Sequence, residues 1–127
     1  MLFRSNPEPA QALYSHLQDA TLGNPFGPVA KGWTQIAEIM ERAAANYREG
    51  GATGFETTAS CVTRELAYLV EVERFRAKVG SGEEFVTGTL RVTSILRPEE
   101  SGWRIVHRHA DPITSSRPAE SIVQPGS

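Results

Sequence analysis

The sequence has a single cysteine, Cys61. A lone cysteine excludes an intrachain disulfide and a zinc site built from several thiolates, and it is typical of proteins in a reducing compartment. Cys61 lies in an alternating segment with no basic cluster beside it in the sequence. That setting predicts a buried and unreactive thiol.

Excess positive charge and long apolar runs are also missing. The chain has 13 Lys and Arg against 15 Asp and Glu, with a net charge of -2 and a pI near 5.9. Without a basic patch, neither nucleic acid nor an anionic membrane surface is an expected partner. No apolar run reaches the roughly 20 residues of a membrane helix, and residues 1–5 are too short for a signal peptide. The expected location is the cytoplasm.

The length of 127 residues is that of one domain. After Asp111 the sequence becomes rich in Pro and Ser and poor in apolar side chains, so little of it can dock on a core. We therefore predict one domain over residues 1–111 and a polar tail over residues 112–127.

Two segments have the apolar spacing of amphipathic helices. The first begins where Asn6 can act as a cap and Pro7 suits the first helical position. Its apolar positions are Ala10, Leu13, Tyr14 and Leu17. The second lies between Gly32 and the Gly50-Gly51 pair. Its apolar stripe consists of Trp33, Ile36, Ala37, Met40, Ala44 and Tyr47.

Strand patterns fill the rest of the chain. A short strand is predicted over residues 19–24, before the turn residues of Pro25-Phe26-Gly27-Pro28. From residue 53 the period becomes that of strands. Four long strands are predicted over residues 53–62, 66–79, 84–97 and 103–111. The order of helix, strand, helix and four strands predicts an α+β fold with the helices packed on one face of a curved antiparallel sheet.

A polar set is predicted on one face of this sheet. A turn centred on Gly82 would place Glu73 opposite Arg91, and a turn centred near Glu100 would place Arg91 opposite His109. The predicted polar face then contains Glu71, Glu73, Arg91, Thr93, His107 and His109. The predicted apolar face, read as core or pocket wall, contains Tyr68, Val70, Val72, Leu90, Val92, Ser94, Leu96 and Val106.

Three interpretations of the polar face stay open. Arg91 beside a histidine could bind an anion or carboxylate. The same residues could form a charge ladder on the convex face, where two copies of the chain pair. His107, His109 and Glu73 are also suitable zinc ligands by residue type, but adjacent alternating histidines on a strand are more often structural, and the preferred expectation is that no metal binds. The absence of a nucleophile elbow speaks against Ser/His/Asp hydrolysis, no Gly-rich phosphate loop occurs, and we expect no cofactor.

Three motifs resemble the SnoaL-like and ketosteroid-isomerase-like branch of the nuclear transport factor 2-like superfamily. They are residues 19–27 (DATLGNPFG), residues 31–33 (KGW) and residues 103–109 (WRIVHRH). The resemblance covers residues 6–111 and implies a cone, in which helices close the concave side of a bent sheet around an apolar pocket, commonly in a dimer. The final strand also resembles that of the calmodulin-dependent kinase association domain, an assembly module of the same fold.

The chain departs from the ketosteroid isomerases in two respects. The catalytic aspartate of those enzymes corresponds to Asn24, which cannot act as a base near neutral pH. The tyrosine and the neutral acid of their oxyanion hole are not matched, since we expect the usual first helix to be absent and no acid occurs between Leu90 and Leu96. Steroid isomerisation by that route is therefore disfavoured.

The resemblance favours a small-molecule-binding protein, either an acid-base enzyme of the isomerase, cyclase or hydrolase type or a non-catalytic dimerisation or ligand-sensing module. The expected ligand is a small apolar molecule with a polar head, and the expected partner is a second copy of the chain. The candidate ligand-binding residues are Asn24, Phe26, Trp33, Tyr68, Arg91, His107 and His109. The aromatic residues among them are also suited to a plain hydrophobic core.

Overall fold

The computed structural model of the chain describes residues 7–124, which form a curved, mixed six-stranded sheet and two α-helices. The helices are α1 (Glu8–Leu13) and α2 (Trp33–Asn46). The strands are β1 (Thr21–Gly23), β2 (Ala30–Lys31), β3 (Tyr47–Val62), β4 (Ala67–Val79), β5 (Val86–Glu99) and β6 (Gly102–Asp111). A 3-10 helix (Ala119–Ile122) lies in the exposed tail. The α+β class with few helices is confirmed, while the predicted cap Asn6 and residues 125–127 lie outside the described residues.

The strands follow the order β2-β1-β6-β5-β4-β3 across the sheet. All neighbours are antiparallel except β1 and β6, which run parallel. The helices pack on one face, here called the inner face, where the hydrophobic core lies. The core residues are Tyr14, Ala20, Leu22, Ala30, Ile36 and Ile105, with Leu13, Trp33, Ile39, Met40 and Leu96 against them.

Helix α1 is shorter than its apolar spacing predicts. It ends at Leu13 because Tyr14 is extended, at φ -90° and ψ 149°. The following backbone pairs with β6 instead, since Ser15 N–H donates to the carbonyl of Ile105 at 2.8 Å. Leu17, predicted on the apolar helical face, is 52% exposed. Pairing with a distant strand has overridden the local helical pattern.

Helix α2 buries its predicted stripe only in part and ends before the double glycine. Ile36 and Ala44 are buried, and β3 begins at Tyr47, six residues earlier than predicted. A register shift lets β3 pass Gly50, where an added Cβ would lie 2.3 Å from the Cβ of Ala77. Gly50 therefore allows close approach of two strands, whereas the sequence had indicated a helix stop. Strand β2 was not predicted.

The predicted pairing of the long strands is wrong by one residue on β4 and β5. Glu73 lies opposite Leu90, and Arg91 lies opposite Val72. On β5 and β6, a bulge at Val106 shifts the register, so that Arg91 lies opposite Asp111 and not opposite His109. Because side chains alternate along a strand, the one-residue shift moves the β4 side chains to the other face relative to β5, and the bulge does the same for Trp103 and Ile105 relative to the histidines.

The inner and outer faces therefore differ from the predicted polar and apolar faces. The inner face carries Glu71, Glu73, Leu90, Val92, Ser94, Leu96, Ile105, Arg108 and Ala110. The outer face carries Tyr68, Val70, Val72, Arg91, Thr93, Ile95, His107, His109 and Asp111. Cys61 is exposed on β3, so the prediction of a buried thiol is wrong.

Candidate functional site

An apolar cavity of about 90 Å³, here called the main cavity, lies between the inner face and α2. Helix α2 contributes Ile39, Met40 and Ala43 to its wall because these residues follow one another at helical spacing on the side that faces the sheet. The remaining lining residues are Pro7, Ala10, Leu22, Asn24, Pro25, Phe26, Tyr47, Leu90, Arg108 and Ala110. Among the described residues that line this cavity, only Asn24, Tyr47 and Arg108 have polar side-chain atoms.

Asn24 lies at the mouth of the main cavity, directly after β1. Its side-chain oxygen accepts a hydrogen bond from Phe26 N–H at 3.0 Å, which fixes the turn. Phe26 also lines the cavity but is 67% exposed, and it therefore belongs to the rim. Asn24 thus combines the two roles that the sequence left open, since the turn uses its oxygen and its NH₂ group can still donate.

Arg108 projects from β6 into the interior and pairs with Glu73 of β4. The Nη2 of Arg108 lies 2.6 Å from a carboxylate oxygen of Glu73, and the two side chains are 12% and 1% exposed. Burial strengthens the attraction between these charges, and each partner compensates the charge of the other. Among residues 7–124, the buried Nε–H of Arg108 has no hydrogen-bond acceptor. Within that range, this buried Nε–H is a donor that the fold itself does not use.

A second cavity, of about 50 Å³ and here called the small cavity, also lies against Arg108. Its polar wall consists of Glu71, Glu73, Ser94 and Arg108. Burial, together with the nearby charge of Glu73, raises the pKa of Glu71. This cavity is polar on one side, in contrast to the apolar main cavity.

The outer face holds a separate network. Arg91 Nε donates to one carboxylate oxygen of Asp111 at 2.6 Å, and His109 Nε2 lies 2.9 Å from the other. Partial burial opposes ionisation of Asp111, but these hydrogen bonds prevail and lower its pKa to about 2. Nearby, His107 Nδ1 lies 2.7 Å from the hydroxyl of Thr21, and burial, reinforced by His109, lowers the pKa of His107.

The predicted ligand-binding residues do not converge on one site. Asn24 and Phe26 line the main cavity. Trp33 packs against the core and stacks on His16 at 3.8 Å between ring centroids. Tyr68, Arg91, His107 and His109 lie on the outer face, on the opposite side of the sheet from both cavities.

The sequence did not single out Arg108, the cation of the interior. Strict alternation along β6 correctly placed Arg108 on the face opposite His107 and His109. The predicted register, however, was wrong by one residue and placed Glu73 on the same face as the two histidines. The bulge at Val106 also separates Trp103 and Ile105 from the two histidines with which they were grouped. A signal was present in the spacing of Glu71 and Glu73, because two acids on one side of a buried strand require a cation or a proton nearby.

The interpretation of His107, His109 and Glu73 as one zinc site is wrong, because Glu73 lies on the inner face and both histidines lie on the outer face. Within residues 7–124, no three side chains of the metal-binding types come together. No helix in the same range is long and apolar enough to cross a bilayer.

Several solved structures share this fold. A nuclear transport factor 2-like superfamily protein from Salmonella enterica serovar Typhimurium is 20% identical, with 91% of this chain and 83% of that chain covered and a TM-score of 0.76. A ketosteroid isomerase-like protein from Erwinia carotovora atroseptica is 16% identical, with 87% and 84% covered and a TM-score of 0.71.

A nuclear transport factor 2-like protein with a cystatin-like fold from Novosphingobium aromaticivorans is 20% identical, with 94% of this chain and 77% of that chain covered and a TM-score of 0.65. At these identities the similarity establishes the fold and leaves the reaction open. No curated protein matches the chain. The SnoaL-like domain model matches residues 10–114, and the chain belongs to the SnoaL-like domain family.

Proposed function

We propose that this protein binds a small, mainly apolar molecule in the main cavity, with a polar head of the ligand near Arg108. The observation that carries the proposal is that the wall of the main cavity combines mostly apolar residues with the charged side chain of Arg108. Apolar residues line most of it, while the buried Nε–H of Arg108 has no acceptor among the described residues. Ligand sites commonly combine an apolar wall with a few fixed polar groups.

The interior supports binding better than steroid isomerisation. The neighbour from Erwinia is described as ketosteroid isomerase-like, but the position of the catalytic aspartate in the resemblance is Asn24, whose oxygen accepts from Phe26 N–H. An amide cannot take up a proton near neutral pH. Among the residues that line the two cavities, the carboxyls that could serve acid-base chemistry are Glu71 and Glu73.

The binding proposal is tested at Met40, whose side chain lines the main cavity. In protein labelled with ¹³C at the methionine methyl groups, we expect cyclopentanone to shift the Met40 methyl resonance in a saturable manner. Ala43→Leu should fill the cavity and weaken this binding about tenfold or more, because a ligand and the added side chain would occupy the same space.

Ala45→Leu is the matched control for this experiment. Ala45 lies on the exposed side of the same helix, so the substitution adds the same atoms outside the cavity and should leave cyclopentanone binding unchanged. Absence of any saturable shift in the wild-type protein would contradict the proposal and favour a non-catalytic dimerisation module. Equal weakening by both substitutions would show that the ligand binds elsewhere.

A further inference from the structure

A surface groove, here called the helix groove, runs between α2 and the turn that joins β1 to β2. Its volume is about 410 Å³. Asn24 and Phe26, which lie at the mouth of the main cavity, also line this groove, and so do Ile39 and Ala43 from the cavity wall. A ligand that reaches the mouth of the main cavity therefore meets the helix groove.

The main cavity alone is small for a ligand site. Small-molecule sites typically have volumes of about 300–1,000 Å³, whereas the main cavity has about 90 Å³. The helix groove adds about 410 Å³ beside it, and the combined space then lies within that range. This comparison favours a ligand whose apolar body lies in the main cavity and whose outer end lies in the groove.

Helix α2 places a charged row beside the apolar row that lines the main cavity. Glu38 and Arg42 line the groove and are four residues apart, so they lie on one side of the helix. Ile39 and Ala43, each one position further along the chain, line both the groove and the main cavity. A ligand body that passes over Ile39 and Ala43 would have Glu38 and Arg42 beside its outer end.

The two charges of this row are not used by each other. A glutamate four residues before an arginine commonly pairs with it on a helix. Among the described side chains, however, no ion pair joins Glu38 to Arg42, and both residues are exposed. The carboxylate can therefore bind a cation and the guanidinium can bind an anion of a ligand in the groove.

Two amide side chains add hydrogen-bond donors to the groove. The side-chain oxygen of Gln35 accepts from Lys31 N–H at 3.3 Å, and that of Asn24 accepts from Phe26 N–H at 3.0 Å. Because their oxygens are used in this way, the NH₂ groups of Gln35 and Asn24 are the parts that can still bind a ligand. Together with the guanidinium of Arg42, they favour a carboxylate as the anion.

We propose that the helix groove binds the zwitterionic end of an α-amino acid, with its ammonium group at Glu38 and its carboxylate at Arg42, while its apolar side chain enters the main cavity. The inference rests on the proposed binding function and adds the chemical class of the ligand. A zwitterion matches both charges, whereas a plain carboxylate would be repelled by Glu38 and a plain amine by Arg42. A polar group at the far end of the amino acid side chain would lie near Arg108.

The test uses L-leucine and two analogues that each lack one of its charges. Isoamylamine has the same branched body without the carboxylate, and isocaproate has it without the ammonium group. Titration of the ¹³C-labelled Met40 methyl group near neutral pH gives the three affinities, since Met40 lines the main cavity. We expect L-leucine to bind about three- to tenfold more tightly than either analogue, because each analogue loses one charged contact.

Two substitutions in the groove assign the contacts. Arg42→Gln should weaken L-leucine and isocaproate about three- to tenfold without weakening isoamylamine. Glu38→Gln should weaken L-leucine and isoamylamine to the same extent without weakening isocaproate. Arg64→Gln is the control, because Arg64 is an exposed arginine in the turn between β3 and β4, and it should change none of the three affinities.

The inference is overturned if L-leucine binds no more tightly than its two analogues, or if Arg42→Gln weakens it no more than Arg64→Gln does. In either case, saturable binding of cyclopentanone would leave the binding function standing. If neither L-leucine nor cyclopentanone shifted the Met40 resonance in a saturable manner, the binding function and this inference would fail together.

Discussion

Arg108 connects the stability of the interior with its chemistry. It compensates the charge of Glu73, which is 1% exposed, and its side chain lines both cavities, while its buried Nε–H has no acceptor among the described residues. Removing one member of a largely buried ion pair is costly, so the arginine cannot be exchanged for a neutral side chain without consequence. The group that we propose for ligand binding is therefore also required by the fold.

Replacing Arg108 by Met should be strongly destabilising. The substitution keeps much of the side-chain volume but removes the cation beside Glu73, and the expected loss is about 3–5 kcal/mol in the free energy of unfolding. Urea denaturation of the two proteins measures the difference.

Arg74→Met is the matched control for the Arg108 prediction. Arg74 pairs with Glu56 at 3.3 Å, and these side chains are 52% and 67% exposed. Loss of a solvated pair should cost about 0–1 kcal/mol. If the two substitutions shifted the urea midpoint equally, the Glu73–Arg108 pair would have to be as well solvated as the exposed pair, contrary to its burial.

At the scale of the elements, Gly50 determines how closely β3 approaches β4. A Cβ at this position would lie 2.5 Å from the carbonyl oxygen of Arg76 as well as 2.3 Å from the Cβ of Ala77, so the two strands would have to separate. Gly50→Ala should therefore destabilise the protein by about 1–3 kcal/mol, as measured by the urea midpoint. Gly54→Ala is the control on the same strand, because no atom lies within 4 Å of its added Cβ. A smaller loss at position 50 than at position 54 would contradict the close approach.

The element types could be predicted from local patterns, but their ends and register could not. The apolar stripe of α2 and the four alternating segments are local features, and the structure contains the corresponding helix and strands. Helix α1 ends where Ser15 pairs with Ile105, a contact between residues far apart in the sequence. A pairing error of one residue between β4 and β5 placed Glu71 and Glu73 on the face of the two histidines, and the bulge at Val106 separates Trp103 and Ile105 from those histidines.

At the scale of the whole molecule, the candidate site combines predictable and unpredictable parts. Asn24 and Phe26 line the cavity and were found through the motif in residues 19–27, which the resemblance supplied. Arg91 and the two histidines are chemically suited to bind the polar head of a ligand, but they lie on the outer face. Arg108 could be assigned to the interior only once the register of three strands was known, since Glu73 and Arg108 are 35 residues apart in the sequence.

The outer face is the surface through which we propose that two copies of the chain pair. Its apolar residues Val70, Val72 and Ile95 are partly buried, and Tyr68 is 42% exposed. Its charges are arranged in a network of Arg91, His109 and Asp111, which leaves few uncompensated groups to desolvate. These apolar residues form a strip along β4 with Ile95 beside it, and apolar residues bordered by polar ones are typical of protein interfaces.

Light scattering at micromolar concentration should therefore report a mass of two chains of 13.9 kDa each. Ile95→Glu should convert this dimer to a monomer, because it places a charge at the centre of the strip, opposite Tyr68 and His107. Val62→Glu is the control, since Val62 is 75% exposed at the end of β3, away from this strip, and its substitution should leave the dimer intact.

Arg91→Ala distinguishes the two possible environments of the network of Arg91, His109 and Asp111. The Arg91 side chain is 55% exposed in the single chain, so a loss of about 0–1 kcal/mol would mean that it stays solvated, whereas a loss of roughly 3–5 kcal/mol with weaker dimerisation would mean that the second copy covers it. A monomeric wild-type protein would refute the outer face as a dimer interface.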